Sequence, residues 1–512
     1  MLIDGRTVYS PLYSGVFWDM QNVVSSDIER IEVVSGPGGA LWGSNAVNGV
    51  INVVSRSSAD TPGGMVRFSG GNADWSGMAK VGGALSERGT YRVYGQASRQ
   101  GHTDTPLGLS GADYLTLYQG GARTDWNFEN ASLMVQGDYY EGVNRPSSVA
   151  KVDLRGGNVL GRWHGEISDT SNVEIQAYYD HAARAIDNGI HDGINTYDIS
   201  AQHSFMLGDR QHITWGGGYR ITDDIFVGGP LTSVLSPAQR TLQLANVFAH
   251  DTIALTSALK LALGLKLERN AYTGWEYMPD ARLSWQVAPS TMLWAAVSRA
   301  ARTPSRFDRD LFNTVLAGGP TFHSEELIAY EAGYRGRLAD NATLSVSLFY
   351  NDYEDLRTVE PPFPLTIQNL MDGYTYGIES WATYEPLSWW RLKAGVTAIG
   401  KHLRLKPGSA SFFGTQNEGN DPDHQFSLRS EMSLTQEVEL DLAMRAIGAL
   451  PSPAVPSYIA LDARLGWNVT EHVQLSLSGY NLLDAHHTEF IVASPPQRAV
   501  RRSVYATARW SF

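Results

Sequence analysis

LKLALGLKL, residues 259–267, is the stretch of sequence that decides the fold. Its five leucines occupy every second position, and small or basic residues lie between them. Side chains of a strand alternate between its two faces, so this period predicts a β-strand with one apolar and one polar face. The same alternation recurs in YIALDARLGWNV, residues 458–469, and in ATLSVSLFYND, residues 342–352. A soluble β-sandwich or propeller has alternating strands as well, so further features must separate the two classes.

Strand length and the spacing of the connections favour a membrane barrel. Many periodic segments reach about ten residues, which is what a tilted strand needs to cross a bilayer, whereas soluble strands average about five or six. Very short turns alternate with eight longer polar connections: Gln100–Ala112, Gly142–Asp153, His181–Thr196, Thr222–Ala238, Arg302–Ser324, Leu356–Asp372, Leu403–Asp423 and Asp484–Ala499. About 22 periodic segments lie between Gly64 and Phe512, and bacterial outer-membrane barrels have an even strand number, short periplasmic turns and long outer loops. We therefore expect an all-β membrane protein, a closed antiparallel transmembrane barrel of about 22 strands, with the apolar side of LKLALGL and YIALDARLGW facing lipid.

Composition excludes several classes of function. The 512 residues include 51 glycines and 11% aromatics but only 18% charged residues, below the usual quarter. The net charge of −13 argues against a nucleic-acid partner, and the sequence has no cysteine and no run of eighteen apolar residues. We expect no enzyme, because no nucleophile–base pair can be placed, and no cofactor. The adjacent pair His486 and His487 would point to opposite faces of a strand, so we expect no metal site there.

The glycine-rich stretch GPGGALWGSNAVNGVINVV, residues 36–54, is not a phosphate-binding loop. Such a loop needs a lysine followed by serine or threonine after its last glycine, and here Ser44 and Asn45 follow Gly43. The residues Gly49–Val54 instead have the pattern of a β-strand. The glycines therefore need another explanation.

The stretch has a family resemblance. MLIDGRTVYS followed by DIERIEVVSGPGGALWGSNAVNGVINVVSR resembles the second half of the plug domain of TonB-dependent outer-membrane receptors. Segments further along fit the same family: SRAARTPS (298–305), EELIAYEAGYRGRL (325–338), YTYGIES (374–380), YNLLDAHH (480–487) and the terminal Trp-Ser-Phe. The resemblance implies the C-terminal half of a plug over residues 1–58 and a barrel over residues 59–512.

The resemblance also implies a function and partners. Members of the family import a scarce, large ligand across the bacterial outer membrane, driven by TonB, and a ferric siderophore is the commonest ligand. Cobalamin, haem and other metal chelates stay open, and a passive porin or a surface-attachment barrel is the rival class. The expected partners are the chelate, TonB through an N-terminal box, the barrel assembly machinery and outer-membrane lipid.

Three groups of residues are predicted sites. In the family the segment after the Ile-Asp-Gly turn forms an apical plug loop that faces the outer pocket, so its aromatic and basic side chains are predicted to bind ligand: Arg6, Tyr9, Tyr13, Phe17 and Trp18. Packing of the same rings against the barrel is the alternative. The plug turns are predicted at Gly36, Pro37, Gly43 and Gly49, where glycine supplies unusual dihedral angles and close backbone approach. Trp510 and Phe512 resemble the C-terminal assembly signal.

The resemblance further implies a signal peptide, a TonB box and the first half of the plug ahead of the Ile-Asp-Gly turn. None of these precedes Met1 in the sequence given. We interpret the sequence as a truncated gene product or fragment rather than as a natural short form.

Overall fold

A computed structural model of the chain describes residues 1–146, 150–187, 189–228, 234–416, 419–491 and 497–512. Its main body is a closed antiparallel barrel, and 22 long strands of the described residues form the wall. These strands are Gly63–Gly71, Asp74–Ala84, Gly89–Gln100, Tyr114–Asn127, Ala131–Arg145, Val152–Ser168, Ser171–Ile186, Ile190–Leu207, Gln211–Val227, Gln239–Ala254, Leu259–Asn270, Gly274–Ala288, Thr291–Arg302, Glu325–Ala339, Ala342–Glu360, Leu365–Leu387, Trp390–Leu405, His424–Ser433, Val438–Ile447, Tyr458–Asn468, Val473–Tyr480 and Ser503–Ser511. The predicted fold class and strand number are confirmed.

The last strand closes the barrel against the first. Ser503–Ser511 pairs antiparallel with Gly63–Gly71, and Phe512 exchanges two backbone hydrogen bonds with Gly64, at 2.6 and 2.9 Å. Trp510 and Phe512 are more than half exposed, and their rings lie 4.6 Å apart. The predicted C-terminal aromatics therefore lie at the seam of the barrel.

Each strand has one face toward the lumen and one toward the outside. On Leu259–Asn270, Lys266 and Glu268 are buried and contact residues of the N-terminal segment, whereas Leu263, Leu265 and Leu267 are exposed on the opposite face. The predicted alternation is present, with leucines outside.

The N-terminal segment forms a small domain that contacts the inner wall. Its four-stranded mixed sheet has the order Arg6–Thr7, Leu2–Ile3, Gly49–Ser55 and Ile28–Ser35. Two further short strands, Tyr9–Ser10 and Gly15–Val16, form a hairpin. Its helical pieces are the four-residue helix Gly39–Trp42 and the 3-10 turns Trp18–Met20, Ser25–Asp27 and Ser58–Asp60. Within the described residues, none of the helices is long and apolar enough to cross a membrane.

The connections alternate in length as predicted, but two of the predicted long loops are wrong. Residues 181–196 are mostly strand, because Ser171–Ile186 and Ile190–Leu207 continue almost to their shared turn. Residues 356–372 likewise belong mainly to Ala342–Glu360 and Leu365–Leu387. These strand ends carry polar residues on both faces, so the sequence loses its apolar–polar alternation there, although the backbone hydrogen bonds between the strands continue. Residues 147–149, 188, 229–233, 417–418 and 492–496, all within predicted long connections, lie outside the described part of the chain.

Several short helical and strand elements lie at the end of the barrel that carries the long connections. They are the helix Arg306–Asp310 and the two-residue strands Val234–Leu235, Leu311–Phe312, Leu316–Ala317, Leu450–Pro451, Ala454–Val455, His486–His487 and Val500–Arg501. The connection between Thr291–Arg302 and Glu325–Ala339 carries the helix and folds inward, over the N-terminal domain.

Candidate functional site: the apex of the plug and the connection above it

The turn at Asp4 and Gly5 sets the direction of the apical loop. Both residues have positive φ angles, 50° and 82°, which suit glycine and aspartate better than most residues. The Asp4 carboxylate accepts hydrogen bonds from the backbone and the hydroxyl of Ser55 and from the Gln136 amide, each at 2.8 Å. The turn is thereby tied both to the neighbouring plug strand and to the barrel wall.

Arg6 does not face open solvent. It is 7% exposed, and its guanidinium forms an ion pair with Asp180 of the barrel wall. Because the guanidinium is buried and already paired with a carboxylate, the position of Arg6 argues against its predicted role in binding an anionic chelate. The sequence could not reveal the partner, which lies 174 positions away.

Tyr13 and Phe17 pack against the wall. Their rings meet edge to face with centroids 4.8 Å apart, and Arg184 lies over the Phe17 ring at 4.5 Å. Both rings contact an apolar cluster formed by four buried residues of the apex and the long connections: Leu12, Phe226, Leu235 and Leu311. Burial raises the pKa of the Tyr13 hydroxyl to about 12. For these two side chains the geometry fits the packing alternative.

Trp18 is the most exposed of the predicted ligand residues, and Tyr9 is half-buried beside a cavity. Tyr9 is one of the residues that line a cavity of about 600 Å³ between the plug and the wall, and burial raises the pKa of its hydroxyl. Trp18 is 62% exposed at the start of a 3-10 turn, and the next residue, Asp19, pairs with Arg184 at 2.6 Å. Of the five predicted ligand residues, Trp18 is exposed, Arg6 is buried, and Tyr9, Tyr13 and Phe17 are half-buried and line the cavities beside the plug.

The predicted plug turns have the backbone geometry that glycine allows. Gly36, Gly43 and Gly49 have φ angles of 79°, 87° and 146°. A Cβ at Gly36 would lie 2.6 Å from the Glu331 carboxylate, and one at Gly43 would lie 2.7 Å from that of Glu268. The first two turns thus approach acidic side chains of the wall more closely than any other residue could.

The loop after Gly43 is fastened to the end of a barrel strand. Asn45 has a φ of 70°; its backbone donates to Ala301 at 2.8 Å, and its amide exchanges two hydrogen bonds with Thr303, at 3.1 and 3.2 Å. Ser44 donates to Glu268, and Lys266 donates to the Leu41 carbonyl at 3.1 Å. These contacts are polar throughout, whereas Leu12, Met20 and Val24 elsewhere in the plug pack in apolar clusters with residues of the wall and its connections.

The inward connection above the apex contains the most buried charge of the site. We call residues 305–322 the strap. Its helix Arg306–Asp310 starts with a capping box, in which Ser305 and Asp308 exchange hydrogen bonds of 2.9 and 3.2 Å. Arg306 is fully buried and forms ion pairs with Asp224 and with Asp310.

Sequence reasoning did not identify Arg306. The dense charges of RFDRD, residues 306–310, were the available signal, but a charge run is usually a solvated face. Its partner Asp224 lies 82 positions earlier in the chain, so only the fold brings the two together.

A second cavity lies on the other side of the plug. It has a volume of about 940 Å³ and lies between the plug strand Ile28–Ser35 and the wall. The strand exposes Ile31, Val33 and Val34. Five basic and five acidic side chains line this cavity: Arg282, Arg302, Arg335, Arg357, Lys401, Glu325, Glu326, Glu331, Glu379 and Asp421. Because the two signs balance, the lining itself indicates no charge for a ligand.

His486 and His487 contact other protein groups, and so does the acidic stretch NEGNDPDH of residues 417–424 through its described part. His487 approaches Asn481 at 3.1 Å and Glu489 at 2.9 Å, and His486 approaches the Pro106 carbonyl at 3.1 Å. In the acidic run of residues 417–424, the first two residues lie outside the described part, and Asp421 pairs with Lys401 at 2.7 Å. Among the described residues, no group of three or more histidine, aspartate or glutamate side chains could hold a metal ion.

Two family models match the chain in sequence. The model described as "TonB dependent receptor-like, beta-barrel" matches residues 55–482, and the "TonB-dependent Receptor Plug Domain" model matches residues 1–50. The two matches follow the same order as the small domain and the barrel described above.

Individual proteins agree with the family models. A vitamin B12 transporter of Vibrio vulnificus is 25% identical over 64% of this chain and 55% of its own length. A ferric enterobactin receptor of Pseudomonas aeruginosa is 21% identical over 69% of this chain and 60% of its own length. The chain therefore spans a little over half of these two relatives. Among solved structures, a siderophore receptor of Acinetobacter baumannii has a TM-score of 0.83 at 16% identity and covers 100% of this chain and 90% of its own, which shows a shared fold.

Proposed function

The chain belongs to the TonB-dependent receptors of the bacterial outer membrane, and from this premise we propose that it imports a ferric siderophore across that membrane in a TonB-dependent reaction. The barrel is integral to the outer membrane. The observation that carries the proposal is the plug in the lumen of a closed barrel, fastened to the inner wall. We assign the plug to residues 1–58 and the barrel to residues 59–512.

The nature of the plug contacts supports an energised process. A passive porin needs an open channel, whereas here Asp27 of the plug pairs with Lys80 and Arg92 of the wall, and Asp19 pairs with Arg184. Each of these three contacts is an ion pair, so each can exchange for water when the plug shifts. Breaking several buried pairs together costs work, and we propose that TonB supplies it through an N-terminal box.

The ligand is proposed to bind above the apex. Trp18 and Tyr9 would contact it, because their rings have an apolar face and a polar edge that suit a bulky chelate. Cobalamin is the second candidate, since the relatives include a vitamin B12 transporter as well as a receptor for ferric enterobactin. The proposal gives no ligand role to Arg6, whose charge is taken by Asp180.

Competition binding tests the ligand assignment. The full-length receptor would be purified in detergent and titrated with a radiolabelled ferric catecholate chelate, and separately with labelled cobalamin. We expect saturable binding of the ferric chelate that unlabelled cobalamin does not displace. Saturable binding of cobalamin alone would overturn the siderophore assignment and establish the second candidate.

Assembly is the other partner claim. We propose that the barrel assembly machinery reads the terminal Trp510 and Phe512. The seam position of these aromatics supports the proposal, because the last strand must be recognised before it can pair with Gly63–Gly71.

A further inference from the structure

The strap joins the outer connections to the barrel wall through buried charges. Arg306 contacts the carboxylates of Asp224 and Asp310 and donates to the carbonyls of Pro237 and Ala238. Asp310 also pairs with Arg240 at 2.6 Å and accepts a hydrogen bond from Tyr272 at 2.8 Å. If the strap left the wall, the buried charges of Arg306 and of its carboxylate partners would lose their ion pairs in a region closed to solvent, which is energetically costly.

The strap holds the plug apex by a different kind of contact. The backbone amide of Arg306 donates to the Pro11 carbonyl, and that of Phe307 donates to the Leu12 carbonyl, both at 2.9 Å. The Leu12 side chain is 2% exposed and packs in the apolar cluster with Leu311 of the strap. Neutral backbone bonds exchange for water at little net loss, and apolar surface is exposed without stranding a charge.

We propose that the strap is a fixed clamp on the plug apex, and that Pro11 and Leu12 must part from Arg306 and Phe307 before ligand can pass. The inference rests on the proposed import function, because it supposes that the plug moves during transport. The strap stays with the wall, since its wall contacts are the stronger set. The plug apex separates from the strap, since the backbone hydrogen bonds and apolar contacts between them are weaker than the ion pairs that hold the strap to the wall.

A disulfide across the parting contact tests the clamp. The 512 residues contain no cysteine, so Leu12→Cys with Phe307→Cys introduces a single possible bridge within them. The two side chains belong to the same apolar cluster. We expect the oxidised receptor to bind ferric chelate with the affinity of the reduced form but to import it at least tenfold more slowly, and we expect reductant to restore import. Equal import by the two forms would overturn the clamp.

A matched bridge within the wall serves as the control. Val234 and Phe312 are paired in register and exposed, and neither belongs to the Leu12 cluster, so Val234→Cys with Phe312→Cys locks the strap to the neighbouring connection and leaves the plug contact unchanged. Because the strap is proposed to stay fixed, oxidation of this variant should leave import within twofold of the reduced form. Loss of import here would show that the strap itself moves, and the fixed clamp would be wrong.

A measurement without transport separates the clamp from the proposed function. The purified full-length Leu12→Cys/Phe307→Cys receptor would be placed in a planar bilayer and exposed to rising urea, while the conductance through the barrel is recorded. The oxidised form should stay closed at urea concentrations that open the reduced form, and identical opening curves would overturn the clamp. If the curves differ but the parent imports no ferric chelate, the import proposal fails and the clamp stands.

Discussion

Replacing Leu265 by arginine should destabilise the barrel, because this side chain faces the membrane interior. Its neighbour Lys266 points inward to the plug, and Leu265 itself is 43% exposed on the outer face. Two exposed aromatic side chains mark the ends of the apolar band on the adjacent strand: Tyr277 lies opposite Leu267, and Trp285 lies opposite Leu259. Leu265 falls between these ends, one outward position from the middle of the leucine run.

The expected cost follows from that depth. An arginine on the lipid face of a barrel costs about 2–4 kcal/mol at the bilayer midplane and about 0–1 kcal/mol near the interfaces. One outward step from the middle should retain most of the midplane value, so we expect about 2–3 kcal/mol for Leu265→Arg. That loss corresponds to roughly 30- to 150-fold in the folding equilibrium.

The neighbouring position provides a sharper comparison. Leu263 lies directly opposite Asp251 on the same outer face, and Asp251 Oδ1 accepts no hydrogen bond from any described residue. An arginine at position 263 can pair with that carboxylate, so Leu263→Arg should cost less than Leu265→Arg although it lies nearer the middle. Combining Leu263→Arg with Asp251→Asn should remove the difference.

Folding into lipid vesicles measures these costs. Each variant would be titrated with denaturant in the presence of vesicles, with tryptophan fluorescence as the signal, and Lys260→Arg on the opposite face would be the control. A cost near zero for Leu265→Arg would refute the outward assignment of the leucines. Equal costs at positions 263 and 265 would refute the pairing with Asp251.

Three further changes test other parts of the structure. Deleting Phe512 should lower the amount of heat-modifiable barrel in the membrane at unchanged synthesis, because the residue completes the seam; full insertion would show that it is one more exposed aromatic. Tyr9→Ala and Trp18→Ala should each weaken ligand binding about 30-fold, as measured by equilibrium titration, since truncating an anchor residue costs about 2 kcal/mol; normal binding by both would mean that the long connections, rather than these two rings, contact the ligand. Arg6→Met should destabilise the plug by about 3 kcal/mol by leaving the largely buried Asp180 unpaired; urea-driven plug release at the parent's midpoint would contradict this.

Two variants serve as controls for this set. Tyr13→Ala should reduce stability while leaving the affinity of each folded molecule intact, because its ring packs on Phe17 and the apolar cluster. Arg6→Met combined with Asp180→Asn should recover much of the stability lost by Arg6→Met alone, because it removes the stranded charge. If Tyr13→Ala lowers the ligand affinity of the folded receptor, the Tyr13 ring contacts the ligand and is not only a packing residue.

The sequence predicted the barrel because its signal is local. The alternation in residues 259–267 follows from the strand geometry alone, and the leucines lie outside as expected. The strand ends beyond the apolar band were not predicted. Residues 181–186 and 356–360 continue their ladders with polar side chains on both faces, so their pattern resembles that of a loop.

The site was less predictable because its contacts are distant in sequence. The Gly36 and Gly43 turns followed from composition and resemblance, and their positive φ angles agree with it. The pairing of Arg6 with Asp180 could not be predicted from the sequence, because the partner of an arginine in an apical loop is known only once the facing barrel wall is known. The burial of Arg306 likewise depends on how the strap folds inward.

Uptake of a labelled ferric chelate with and without TonB tests the central claim most directly. Cells that produce the full-length receptor would be compared with isogenic cells that lack TonB, at equal receptor levels in the outer membrane. Energised import through a plugged barrel predicts accumulation in the first strain and binding without accumulation in the second. Equal accumulation in both strains would contradict the account, because ligand would then pass the plug without external work.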